Sequence, residues 1–182
     1  MLQPLGIEAI AQGELGISEA EEPHATFVEN ALAKARHASR AAGLAALADA
    51  SGLCVSALGG EPGVRSAYYA GRGGSREERD ARNNAKLLGV LESTAAREAT
   101  FVSVIVLVRH PDDPEPLVAE GRWRGRIGRA PRGANGFGYD PLFIVAGRDV
   151  TAAELEPAEK NRISHRGQAP ERLLALLRER AT

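Results

Sequence analysis

The sequence predicts an α/β protein, and three observations carry that reading. Helical runs, each opened by a Ser/Thr-x-x-Glu capping box, begin at Thr26 and Ser75. A near-continuous β-branched run at 101–108 and an amphipathic run at 117–127 read as strands. Helix and strand patterns alternate along the chain, as layered α/β folds require. With 182 residues, 43% hydrophobic and 26% charged, the chain can bury a real core as one domain, 1–182, or as two lobes sharing a sheet.

In chain order, 7–10 is a candidate short strand, followed by a loop holding Glu14, Glu19, Glu21 and Glu22. Acidic loops are commonly just solvated. Beside a second carboxylate cluster, such a loop becomes a candidate ligand set for Mg²⁺, which takes oxygen donors. From Thr26 an alanine-rich helix is predicted to about Ala42, with Phe27, Ala31, Ala35 and Ala38 facing inward and Gly43 ending it. Lys34 lies just off that stripe. Residues 44–49 and 53–58 read as two strands split at 50–52, where Ser51 and Gly52 offer a hydroxyl and backbone N–H groups to phosphate oxygens. The second helix runs from Ser75 to about Leu91. The strands at 101–108 and 117–127 form an antiparallel pair, and 142–145 is a further strand behind Pro141. A capping box at Thr151 and Glu154 predicts a short helix broken near Pro157. Residues 161–167 read as a loop carrying Ser164, His165 and Arg166, and Leu173, Leu174, Leu176 and Leu177 as an amphipathic C-terminal helix.

A formal net charge of −1 gives no general attraction to nucleic acid or to an anionic membrane. Arg122, Arg124, Arg126, Arg129 and Arg132 around Trp123 read as a solvated strand face. The one cysteine, Cys54, argues against a disulfide framework and fits a reducing cytoplasm. No signal segment opens the chain, and no apolar run approaches membrane-spanning length.

The most informative stretch is 133–143. Gly136 and Gly138 bracket Phe137, and Tyr139 and Asp140 follow. Glycine beside an aromatic lets backbone approach a flat ligand. Phe137 and Tyr139 offer π-faces to a base, and Asp140 offers acceptors to a ring N–H. The same residues also make an ordinary glycine-rich turn into a strand.

Gly136 to Pro141, with Lys160 and with Ser164, His165 and Arg166, resembles the inosine triphosphate pyrophosphatase family. Further segments match in order: Glu21 and Glu22, then Thr26 to Ala31 with Lys34, then 48–53, then 58–63. The match begins at about Leu5 and runs to the C-terminus. The resemblance implies a twisted mixed sheet flanked by helices, with a central cleft between two lobes, and a homodimer. It implies Mg²⁺-dependent hydrolysis of ITP, dITP and XTP to the monophosphate and pyrophosphate. Glu22 and Asp49 would hold the metal, and Asp49 and Lys34 would serve catalysis. Ser51 and Lys160 would hold phosphate or nucleotide. Phe137, Gly138, Tyr139, Asp140, His165 and Arg166 would hold the base. Neutral His165 and Arg166 can donate to a 6-oxo purine, where adenine presents donors of its own.

Two departures from the family pattern stand out. The family has two acids before Ser-Gly, the second catalytic; here Asp49 is followed by Ala50. Neighbouring residues of a strand point to opposite faces, so Asp49 takes over only where the strand end is bent or relaxes locally. Weak turnover, or binding without turnover, is the expectation, and a non-catalytic purine-nucleotide binder is the alternative. Second, no apolar strand and Ser/Thr-x-Asn-x-x-Lys loop precede Leu5, and Met1-Leu2 resembles the end of the family's first helix.

Overall fold

A computed structural model describes residues 7–180. The expectations placed on Met1-Leu2 and Leu5 lie outside the described residues. Among the described residues four α-helices are formed: α1 (Phe27–Ala42), α2 (Arg76–Val90), α3 (Pro157–Ile163) and α4 (His165–Arg180). Among the same residues four strands, β1 (Ala46–Val55), β2 (Glu98–Val108), β3 (Leu117–Ile127) and β4 (Phe143–Val145), lie in the order β1-β2-β3-β4. β3 and β4 run antiparallel, Gly125 facing Val145 and Ile127 facing Phe143. β2 and β3 are neighbours joined by the short connection 109–116, which cannot hold a parallel crossover, so they too are antiparallel.

Helix starts follow their caps. The Thr26 hydroxyl accepts from the Glu29 amide at 3.3 Å, and Ser75 and Glu78 form a reciprocal box. Gly43 ends α1 in the left-handed region at φ 68°. Thr151 and Glu154 also form a capping box, over a single 3₁₀ turn, Ala152–Glu154.

Several sequence expectations change. Residues 7–10 form no strand, and a 3₁₀ turn, Gln12–Leu15, follows them. Ile7 and Ile10 stay exposed, and no ladder is recorded for them. β1 runs unbroken through Ser51 and Gly52, because burial of Ala50, Gly52, Leu53 and Val55 overrides weak local propensity. Residues 56–58 make a 3₁₀ turn instead of extending a strand. Pro157 opens α3 rather than breaking a helix, since its missing N–H costs nothing in the first turn.

The chain divides into two compact units. Of the described residues, the first holds 7–50, 103–121 and 168–180, and the second 51–102 and 122–167. The core of the first is built by Ile105, Leu117, Ala119, Ala169 and Leu173, so α4 packs as its leucine pattern requires. The second buries Leu53, Val55, Leu87, Leu91, Ile127 and Leu142 around an aromatic group. In it the Phe101 and Phe143 rings lie 4.6 Å apart and Trp123 and Phe143 5.2 Å.

Candidate functional site

Within the second unit the structure gathers Ser51, Phe137, Asp140, Lys160, His165 and Arg166. The loop ahead of β4 is held from several directions. The Asn135 amide donates to Ala153 O at 3.0 Å and its side chain to Leu155 O at 3.1 Å. Asp140, buried, accepts from the Phe137 amide at 2.7 Å and from the Lys160 ammonium at 2.5 Å. Gly136 sits at φ 78°, and a Cβ there would strike the Asp140 carboxylate and come within 2.9 Å of Lys160 Nζ. Glycine is required here to make room for an ion pair. At Gly138, φ 61°, a Cβ would meet no atom within 4 Å, so only the backbone conformation asks for glycine.

With these bonds made, Phe137 as a residue is 44% exposed. Cations surround it: Arg76 4.4 Å from the ring centroid, Arg166 5.0 Å and Lys160 5.1 Å. Arg166 also donates to the Ser51 hydroxyl at 2.8 Å. Tyr139 does not share that exposure. It is 4% exposed, its ring belongs to the core, and its hydroxyl donates to Ser66 O at 2.9 Å. Burial pushes its phenol well above the usual range. Its π-face is thus covered, and it anchors the loop where the sequence offered it as a stacking surface.

His165 is the first residue of α4 and not part of a loop, because the Ser164 hydroxyl accepts from the Gly167 amide at 3.2 Å and caps the helix. Its imidazole lies flat on Phe101, centroids 4.8 Å apart and planes within 7°. Burial lowers its pKa to about 3, with Arg166 and Lys160 repelling the proton further. The ring is therefore neutral at ordinary pH. Its Nδ1 is buried with no hydrogen-bond partner. A polar atom left so is costly unless a ligand completes it.

The first unit holds the other candidates. Glu22, Lys34 and Asp49 line one groove of about 540 Å³, whose walls include Ile10, Leu44 and Leu47. Lys34 Nζ pairs with Glu22 Oε1 at 3.1 Å. Asp49 is exposed, while Ala50 is 5% exposed, so adjacent β1 residues do face opposite ways. Among the described residues no group of three or more His, Cys, Asp or Glu could hold a metal. Glu22 and Asp49 are the two carboxylates that share this groove with Lys34, and Mg²⁺ is a cation that takes oxygen donors of that kind.

Sequence reading missed Asp80 and Asn84. Asp80 accepts from the Gly138 amide at 2.7 Å, and Asn84 donates to Gly138 O at 2.9 Å. Their four-residue spacing on a predicted helix was the available signal, but nothing local says what such a pair will meet.

The profile of the Ham1 family matches residues 1–176. A protein of Burkholderia pseudomallei named dITP/XTP pyrophosphatase is 64% identical over 96% of this chain and 83% of its own length. One of Ralstonia nicotianae with the same name is 60% identical over 98% of this chain and 88% of its own. A solved HAM1 protein from Coxiella burnetii superposes with a TM-score of 0.92 at 50% identity, over 98% of this chain and 89% of that one. The Staphylococcus aureus Ham1 protein gives a TM-score of 0.84 at 41% identity, over 93% and 85%.

Proposed function

The chain belongs to the Ham1 family, and on that footing we propose that it hydrolyses non-standard purine nucleoside triphosphates (ITP, dITP and XTP) to the monophosphate and pyrophosphate. The observation that carries the reading is His165: neutral, stacked on Phe101, with a buried and unpartnered Nδ1 next to Arg166. A 6-oxo purine supplies the acceptor and ring N–H groups that such a site can satisfy. Adenine presents an amino donor in place of the oxo acceptor, and so offers Arg166 no acceptor at that edge of the base. Phe137 provides the stacking surface, and Lys160 and Asp140 fix its loop.

The reaction adds water to the α-phosphorus and breaks its bond to the bridging oxygen. Pyrophosphate leaves with the electron pair, and the water proton passes to a carboxylate. Asp49 is the acid present for that work, and Ala50 stands where the family keeps its second acid. Lys34 offsets phosphate charge once freed from Glu22. Glu22 and Asp49 are the groups that would hold Mg²⁺, which when bound neutralises phosphate charge. We infer a homodimer from the family resemblance and cytoplasmic residence from the one free cysteine. No helix among the described residues is long and apolar enough to cross a membrane.

Incubation with ITP and Mg²⁺, reading released pyrophosphate, tests the proposal. Release above the buffer rate, with ATP far slower, is expected. Saturable ITP binding with no release supports the second reading, a purine-nucleotide binder without turnover, which Ala50 favours.

A further inference from the structure

We propose that the face of α2 carrying Arg76, Asp80 and Asn84 is a positioning element for the stacking ring of Phe137. The three residues recur every fourth position, so they share one side of the helix. Asp80 and Asn84 take both polar groups of a single residue. The carboxylate of Asp80 holds the Gly138 N–H at 2.7 Å, and the amide of Asn84 holds the Gly138 C=O at 2.9 Å. Asp140 holds the Phe137 N–H at 2.7 Å. Three backbone groups of Phe137 and Gly138, around an exposed ring, are thus fixed by side chains 3, 54 and 58 residues away.

The remaining geometry agrees. Asn84 Oδ1 is buried without a partner, a cost that an apolar side chain would avoid. Donation to Gly138 is the contact that favours an amide at this position. Arg76, one turn before Asp80, lays its guanidinium 4.4 Å from the Phe137 centroid. An exposed aromatic on a glycine-flanked loop would otherwise sample several poses, and a base stacking on it would have to select one. A ring held in place before binding spares that ordering cost. This inference rests on the purine reading and adds to it: α2 sets the affinity for the base and leaves the phosphate chemistry alone.

The test titrates IMP, which binds without turnover, against the full chain. The variants are Asp80→Ala, Asn84→Leu and Arg76→Ala, each alone and with Phe137→Ala. Single Asp80 and Asn84 variants should weaken IMP about 5- to 30-fold, the lower part of the range a stacked base contributes. KM for ITP should rise in parallel, with kcat changed less than about twofold. In the Phe137→Ala background the same changes should cost nothing further, because their effect passes through the ring. Asp80→Asn, which keeps an acceptor, should stay within about threefold of the parent. Arg76 is exposed, so its variant stays folded if the helix changes do not. For it, a loss of about 2- to 5-fold that vanishes without Phe137 supports the proposal. Equal losses with and without Phe137, or parent-like affinity in all variants, overturn it. A parent chain that binds neither IMP nor ITP overturns the purine reading itself.

Discussion

Gly136 shows how a residue type is fixed by what stands next to it. A methyl group there collides with the Lys160–Asp140 pair and adds strain at φ 78°. We expect Gly136→Ala to destabilise the fold by about 1–3 kcal/mol and to weaken ITP binding, measured by urea unfolding and titration. Gly138→Ala meets no atom and bears only the backbone strain, so its stability loss should be smaller. Lys160→Met leaves the Asp140 carboxylate, 4% exposed as a side chain, without its cation; a loss of roughly 3 kcal/mol is expected in the same assay. Sequence alone marked all of these positions. It assigned glycine to ligand approach, because the ion pair that needs the space joins residues twenty apart. Tyr139 was misjudged for a related reason, since whether an aromatic faces solvent or core depends on partners such as Ser66 that lie far away in the chain.

At the scale of elements, α4 carries His165 and Arg166, and β1 carries Asp49, Ala50 and Ser51. The Ser164 cap starts α4 at His165 and so orders the imidazole that a loop would leave free. Ser164→Ala should cost about 1 kcal/mol and weaken purine binding. The buried imidazole also sets a pH dependence. Its folded pKa of about 3 lies below the unfolded value near 6.5, so between these limits the unfolded chain binds the proton and the folded chain does not. Stability therefore falls as pH drops from about 6.5 towards 3, by at most about 2 kcal/mol at pH 5, and is flat above. Urea midpoints across pH 5–8 should show the decline, and His165→Gln should flatten it. β1 was legible as extended chain from its composition, but its continuity through Ser51 and Gly52 was not, since neighbours rather than local propensity hold it straight. The His-Arg pair likewise read as loop because its cap sits one residue ahead of an otherwise ambiguous run.

At the scale of the molecule, the fold class and strand–helix alternation were visible in periodicity and caps. The second unit holds the groups suited to a base, and the first holds Glu22, Lys34 and Asp49 along one groove. Chelating Mg²⁺ with EDTA should remove pyrophosphate release while leaving IMP affinity within about twofold, because base contacts need no metal. Ala50→Asp should raise kcat on ITP by a factor of roughly 10² to 10⁴ and leave IMP affinity unchanged.

The most direct measurement compares ITP with ATP by titration calorimetry on the unaltered chain, independent of how fast it turns over. A neutral imidazole and a guanidinium facing the purine edge predict ITP tighter than ATP by about 10- to 100-fold, with the difference lost in Arg166→Met. Equal affinity for the two nucleotides, or no saturable binding of either, would contradict a site built for the 6-oxo purine ring.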